Sequence, residues 1–213
     1  VYMKKISDVR VVATSFTVSI IYVVFNFVVA IFTGSTVMLA QALQGMSDLI
    51  TGGILYFGVK RSKRTATSLY QFGYGREVFF WVLMAGILMF IGTGGLSFYF
   101  GWQQFTNPQQ IENIGLAFGM LTIGITANAY ALSLSVHRLK YLYKGFSWWH
   151  QLRHSSAAET KATFLIDVLG TSSAIFGFLA LVVFVLTNNP QFDGLGSMVI
   201  GLSMMGMSML LLR

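Results

Sequence analysis

Apolar residues run through this chain in six long stretches, at about Val11 to Phe32, Thr36 to Val59, Val78 to Phe100, Ile114 to Val136, Ala162 to Thr187 and Leu195 to Leu212. Each is near the roughly 20 residues that a helix needs to cross a bilayer. None alternates with the period of two that marks a barrel strand, so the pattern predicts an all-α membrane protein, a six-transmembrane-helix bundle. The polar connections fall into two kinds. Those after the second and fourth stretches, and both chain ends, hold Lys and Arg. Those near Thr33 to Ser35, Gly101 to Asn113 and Asn188 to Asp193 hold none, and the latter two carry the prolines, Pro108 and Pro190.

Composition sharpens this picture. The 213 residues are 55% hydrophobic and 10% charged, against about 25% charged in soluble domains, and the mean hydropathy is +0.68. A lipid bilayer is therefore the expected surrounding. The net charge of +7 would suggest nucleic acid in a soluble protein. Here the fourteen Lys and Arg all fall on one predicted side, which the positive-inside rule explains. No nucleic-acid partner is expected, and both termini are expected in the cytoplasm. With no cysteine, disulfides and thiolate metal sites are excluded. Phosphate loops and nucleophile triads are absent, so the chain is not expected to be an enzyme.

The candidate chemistry lies in two carboxylates. Of seven acids, Asp8, Glu77, Glu112, Glu159 and Asp193 sit at or near the ends of stretches, whereas Asp48 and Asp167 lie well inside them. A charge at that depth costs about 2.5–3.5 kcal/mol on insertion scales, which makes it a functional-site hypothesis by default. Gln44 precedes Asp48 by one helical turn, and Thr163 precedes Asp167 by the same spacing. If the second and fifth stretches pack together, these four side chains can converge as oxygen ligands. Two carboxylates with no basic residue in either stretch repel each other unless a cation or protons join them. A divalent metal that alternates with protons meets that need, and the alternation is an antiport mechanism. The metal is then a substrate, and no permanently bound cofactor is expected. Asn26 and Asn128 also lie at membrane depth, where interhelical hydrogen bonding is the expected role. His150 and His154 have i, i+4 spacing but read as a solvated loop face. Gly115 and Gly119 form a helix-packing pattern.

Four motifs carry a family resemblance. TGSTVMLAQALQGMSDLI, from Thr33 to Ile50, resembles the second-helix signature of the cation diffusion facilitator family. FGYGRE, from Phe72 to Glu77, resembles its motif between helices two and three. IDVLGTSSA, from Ile166 to Ala174, and NPQFDGLGSMVIG, from Asn189 to Gly201, resemble its fifth-helix motif and the start of its sixth helix. Stretches near Gly95 and Asn107 are similar to a divergent branch that includes an organellar zinc transporter. The resemblance implies a homodimer in the plasma or inner membrane that exports a divalent metal from the cytoplasm in exchange for protons. Its transport site would be Gln44, Asp48, Thr163 and Asp167. The family also usually carries a cytoplasmic domain after the sixth helix. The chain opens at Val1 and stops at Arg213 beside an apolar run, so a fragment that omits this domain is the expectation.

The departures from the family pattern bear on the metal. Gln44 and Thr163 stand where members carry Asp or His, and Tyr74 stands where some carry a loop histidine. Imidazole suits Zn, while carboxylate and neutral oxygen suit harder ions such as Mn. The chemistry thus leans toward Mn and the resemblance toward Zn. Two other readings remain open: a non-transporting membrane scaffold or regulatory partner with the same fold, and an exporter of organic cations with the carboxylates as counter-ions.

The charge asymmetry makes a topological prediction. A cysteine at position 107 should be modified by an impermeant reagent added outside, and one at position 64 should be spared. The reverse pattern would overturn both the topology and the direction of export.

Overall fold

The computed structural model describes residues 8–62, 73–142 and 158–212. Lys4, Lys5, Lys63, Arg64, Lys144, Arg153 and Arg213 lie outside the described residues, as do Trp148, Trp149, His150 and His154. All regular structure among the described residues is helical. In order it comprises α1 (Asp8–Thr33), α2 (Thr36–Ser62), α3 (Glu77–Ile87), a π-helical segment (Leu88–Gly95), α4 (Leu96–Thr106), α5 (Ile114–Leu142), α6 (Ala158–Thr187) and α7 (Gln191–Leu212). Among the described residues three stretches are long and apolar enough to cross a membrane: Glu77–Thr106, which joins α3, the π segment and α4, then Ile114–His137 and Ile166–Thr187. In α2 the polar residues Gln41, Gln44, Ser47, Asp48 and Thr51 dilute the apolar run, and in α7 repeated Gly and Ser do the same.

The helix boundaries follow local chemistry. α1 stops at Gly34, whose φ of +68° is the left-handed conformation that ends helices, and whose N–H donates to the Ala30 carbonyl at 2.9 Å. Ser35 then opens α2 by accepting the Met38 N–H at 3.3 Å, an N-cap bond. Asn188 ends α6 with a φ of +50°, and Pro190 and the Asn189 side chain, which accepts the Gln191 N–H at 3.0 Å, start α7. At the other end of the bundle Arg61 pairs with Glu77 at 2.6 Å, joining the end of α2 to the start of α3. Both partners are partly exposed, so this pair contributes about 0–1 kcal/mol.

α2 is the central element. It packs against α1, α3, the π segment, α4, α6 and α7, and Val37, Met38, Ala40 and Ala42 are wholly buried. Leu121, Leu169, Leu181, Ile200 and Met204 from α5, α6 and α7 complete the core around it. Large apolar side chains such as Ile31, Phe79, Ile91 and Leu186 point outward instead, as a lipid-facing surface requires.

α4 and the π segment before it pack closely on α7, and glycine makes this possible. A Cβ on Gly194 would stand 2.6 Å from the Gly101 carbonyl, and one on Gly201 would stand 2.8 Å from the Gly94 carbonyl. The contacting atoms are backbone, so neither clash could be relieved by a rotamer change. Small residues at this seam let the two backbones touch, as is usual inside membranes. The Ser197 hydroxyl adds a bond to the Ser97 carbonyl at 2.9 Å.

Asp193, which the sequence places only at the end of an outer connection, is fully buried in the first turn of α7. Its Oδ1 accepts from the Ser35 hydroxyl at 2.5 Å and the Val37 N–H at 3.3 Å. Its Oδ2 accepts from the Thr36 N–H at 2.6 Å and the Thr36 hydroxyl at 2.7 Å. The carboxylate thus caps the N-terminus of α2, where free N–H groups and the helix dipole favour a negative charge. Asp193→Ala would strand these buried donors at a cost of about 1–3 kcal/mol. Thermal unfolding of the detergent-purified protein should show the drop. An unchanged midpoint would show that the cap does not hold α2.

Candidate metal-transport site

The helix spacing on α2 sets one wall of the site. Gln41, Gln44 and Asp48 fall at i, i+3 and i+7, one face of a helix. All three line a cavity of about 420 Å³ between α1, α2 and α5. Ser19 and Tyr22 from α1 and Asn128 from α5 share its lining, with apolar side chains such as Val18, Val23, Leu49 and Ile123 between them. Asp48 is partly buried and lies within electrostatic reach of Asp167 on α6. The Asp167 Oδ2 accepts a short hydrogen bond from the Ser135 hydroxyl on α5. Asp48 on α2 and Asp167 on α6 thus feel each other's charge, and α5 adds a hydrogen-bond donor to Asp167.

Gln44 is placed differently from a simple ligand facing Asp48. It is buried, and its Oε1 accepts from the Ser173 hydroxyl on α6. Gln41 Nε2 donates to the same Ser173 oxygen at 3.4 Å. Two amides of α2 thus clasp one hydroxyl of α6, which fixes the register of these helices beside the carboxylates. The backbone of Thr163 is in α6, but its side chain lies outside the described residues. Among the described residues no three His, Cys, Asp or Glu side chains cluster as metal ligands. Any ion held between Asp48 and Asp167 would need neutral oxygen donors or water for the rest of its shell.

Three residues at this site escaped the sequence reading as site residues. Ser135 is an ordinary small polar residue of a membrane helix that nothing local marks, and Ser173 lies inside the motif from Ile166 to Ala174 without reading as a ligand there. Asn128 was expected to bond between helices. Its spacing of seven from Ser135 places both on one face of α5, which is a signal that the sequence did carry. Gly170 belongs with them. A Cβ there would stand 2.8 Å from Asn128 Oδ1 and 3.6 Å from Gln44 Nε2, so only glycine lets these amides approach α6.

Fold and site together define a helical integral-membrane protein built round a pair of neighbouring carboxylates. The chain belongs to the cation efflux family, whose transmembrane-domain profile matches residues 12–213, and this is the cation diffusion facilitator family that its motifs resemble. Among its relatives, the human proton-coupled zinc antiporter SLC30A9, mitochondrial, is 28% identical over 185 residues, which are 86% of this chain and 32% of that protein. Metal tolerance protein C4 of Arabidopsis thaliana is 22% identical over 177 residues, 82% of this chain and 38% of that protein. Magnetosome protein MamB of Paramagnetospirillum magneticum is 29% identical over 89 residues, 42% of this chain and 30% of that protein. The chain spans about a third of the length of these curated relatives.

The clasp on Ser173 is open to a double-mutant cycle. Ser173→Ala and Gln44→Ala, alone and together, should show a coupling of about 0.6 kcal/mol, the average for side-chain hydrogen bonds between membrane helices. Chemical denaturation in mixed micelles measures it. Strict additivity would mean that the bond contributes nothing.

Proposed function

We propose that this chain is the membrane part of a divalent-cation/proton antiporter that exports Zn or Mn from the cytoplasm. One observation carries the reading: Asp48 and Asp167, on adjacent helices, lie within electrostatic reach of each other. No Lys, Arg or His occurs from Gly34 to Val59 or from Ala162 to Thr187, so a mobile cation or protons must neutralise the pair. In this reading Asp48 and Asp167 hold the ion, and Gln44 and Thr163 add neutral oxygen. Six spans leave both termini in the cytoplasm, the unit is a homodimer, and the membrane is the plasma or an inner membrane. The matched family and the zinc antiporter named among the relatives support metal transport. The oxygen-only donor set supports a harder ion beside zinc.

The cycle follows from competition for the same oxygens. Carboxylates bind metal only when deprotonated, so metal entering from the cytoplasm displaces protons. Export of the metal leaves the carboxylates to be neutralised by protons from the other side, and their return to the cytoplasmic side closes the cycle. Lower cytoplasmic pH therefore favours the protonated site and weakens metal uptake.

One observation favours a second reading, a non-transporting scaffold with the same fold. Gln44 Oε1 is engaged by Ser173 rather than turned to the carboxylates. Transport by reconstituted protein separates the two, tested across Zn, Mn, Fe, Co and Mg. Under antiport, Asp48→Asn or Asp167→Asn should abolish flux, a loss larger than the roughly 10–100-fold typical of outer-shell changes. Gln44→Ala should only weaken it. Metal affinity should fall as pH drops from about 8 to 5.5, because protons compete for the carboxylates. Normal flux in Asp48→Asn, or affinity that ignores pH, would overturn antiport. No flux of any metal by the unaltered protein would favour the scaffold.

A further inference from the structure

A third helix borders the carboxylate pair. Asn128 projects from α5 into the cavity that Asp48 and Gln44 line from α2. Its amide packs against α6 at Gly170, one turn beyond Asp167, where a Cβ would stand 2.8 Å from Asn128 Oδ1 and 3.6 Å from Gln44 Nε2. Among the described residues no hydrogen bond engages the Asn128 amide, although Asn26, its counterpart on α1, donates to its own helix at the Tyr22 carbonyl, 2.9 Å away. An unengaged amide at membrane depth is costly unless something polar visits it. The cavity beside it is where a hydrated cation held by Asp48 would sit.

We propose that Asn128 supplies a donor from α5 to the cation held between Asp48 and Asp167, and that this extra donor biases the site toward an ion of higher coordination number, Mn over Zn. The proposal rests on the transport reading above. Its chemistry is a matter of count. In the transport reading above, Asp48, Asp167, Gln44 and Thr163 supply four protein donors, a number that suits tetrahedral Zn. A fifth neutral oxygen, with water in the remaining position, approaches the octahedral all-oxygen shell that suits Mn. The amide oxygen brings no charge, so it adds to the shell without changing the number of protons exchanged. Gly170 is then a positioning residue, because a methyl group there would push the amide from the cavity edge.

Equilibrium binding of Mn²⁺ and Zn²⁺ to the detergent-purified full chain tests this, with thermal unfolding as the control for folding. Asn128→Ala should weaken Mn²⁺ binding about 10-fold and change Zn²⁺ binding little, so that the Mn/Zn affinity ratio falls. Gly170→Ala should move the ratio the same way through Asn128, and the double variant should add nothing further. Asn128→Asp should tighten Mn²⁺ and make its binding steeper in pH. If both metals weaken equally, or the ratio holds while only stability changes, Asn128 is a packing residue and the proposal falls with the transport reading intact. If the unaltered protein binds neither ion, the carboxylate site itself fails and carries this proposal down with it.

Discussion

The bundle is arranged so that the polar face of α2 turns toward other helices and a cavity between them. A charged Asp48 could not face hydrocarbon without a cost of a few kcal/mol, and Gln41, Gln44, Ser47 and Thr51 on the same helix are buried, while its apolar Ile50, Tyr56 and Phe57 are exposed. α1 and α3 flank it, α4 and α7 lie across it, and α6 meets the polar stripe. The apolar helices take the outside, where their large side chains are exposed. A segment too polar to be a good membrane helix alone thus sits at the centre, and the segments that read most clearly as spans shield it.

Much of this was present in the sequence, for reasons that can be named. Helical class follows from run length and the lack of period-two alternation, which are properties of single segments. The isolation of Asp48 and Asp167 within apolar runs is equally local. What could not be read is what depends on a partner helix. Gln44 reads as a ligand because it is one turn from Asp48, yet its oxygen is turned to Ser173, a residue 129 positions away. Asp193 reads as the end of a loop, yet it is buried against Ser35 and Thr36. Asn128 gains its place only from the packing of α5 on α6. The π segment had a faint signal in Gly92, Gly94 and Gly95, residues that tolerate a wider turn, although propensity alone does not distinguish this from a simple kink.

The polar contacts fall into two groups with different work. Those around Asp193 are numerous, direct and short, and they close off one end of α2. The Asp48 carboxylate instead borders open volume. This is the division expected of a protein that must keep one point of a helix fixed and leave another able to exchange partners. The chain belongs to the cation efflux family, and an ion that enters and leaves needs open volume beside the group that would hold it.

The glycine seam between α4 and α7 has a consequence for height. Gly94 of the π segment meets Gly201 and Gly101 of α4 meets Gly194, pairs seven residues apart along each side of the seam that run in opposite directions. Bare backbone contacts at two levels act like the notches of a vernier, since a shift along the axis by even one residue would bring side chains into both. Asp193 lies next to Gly194 in the chain, so the seam also sets the level of the carboxylate that holds the start of α2. Asp48 is 12 residues further along that helix from Thr36, about 18 Å at 1.5 Å per residue. The level of the Asp48 carboxylate along α2 is thereby gauged from a contact between two other helices, neither of which carries that carboxylate.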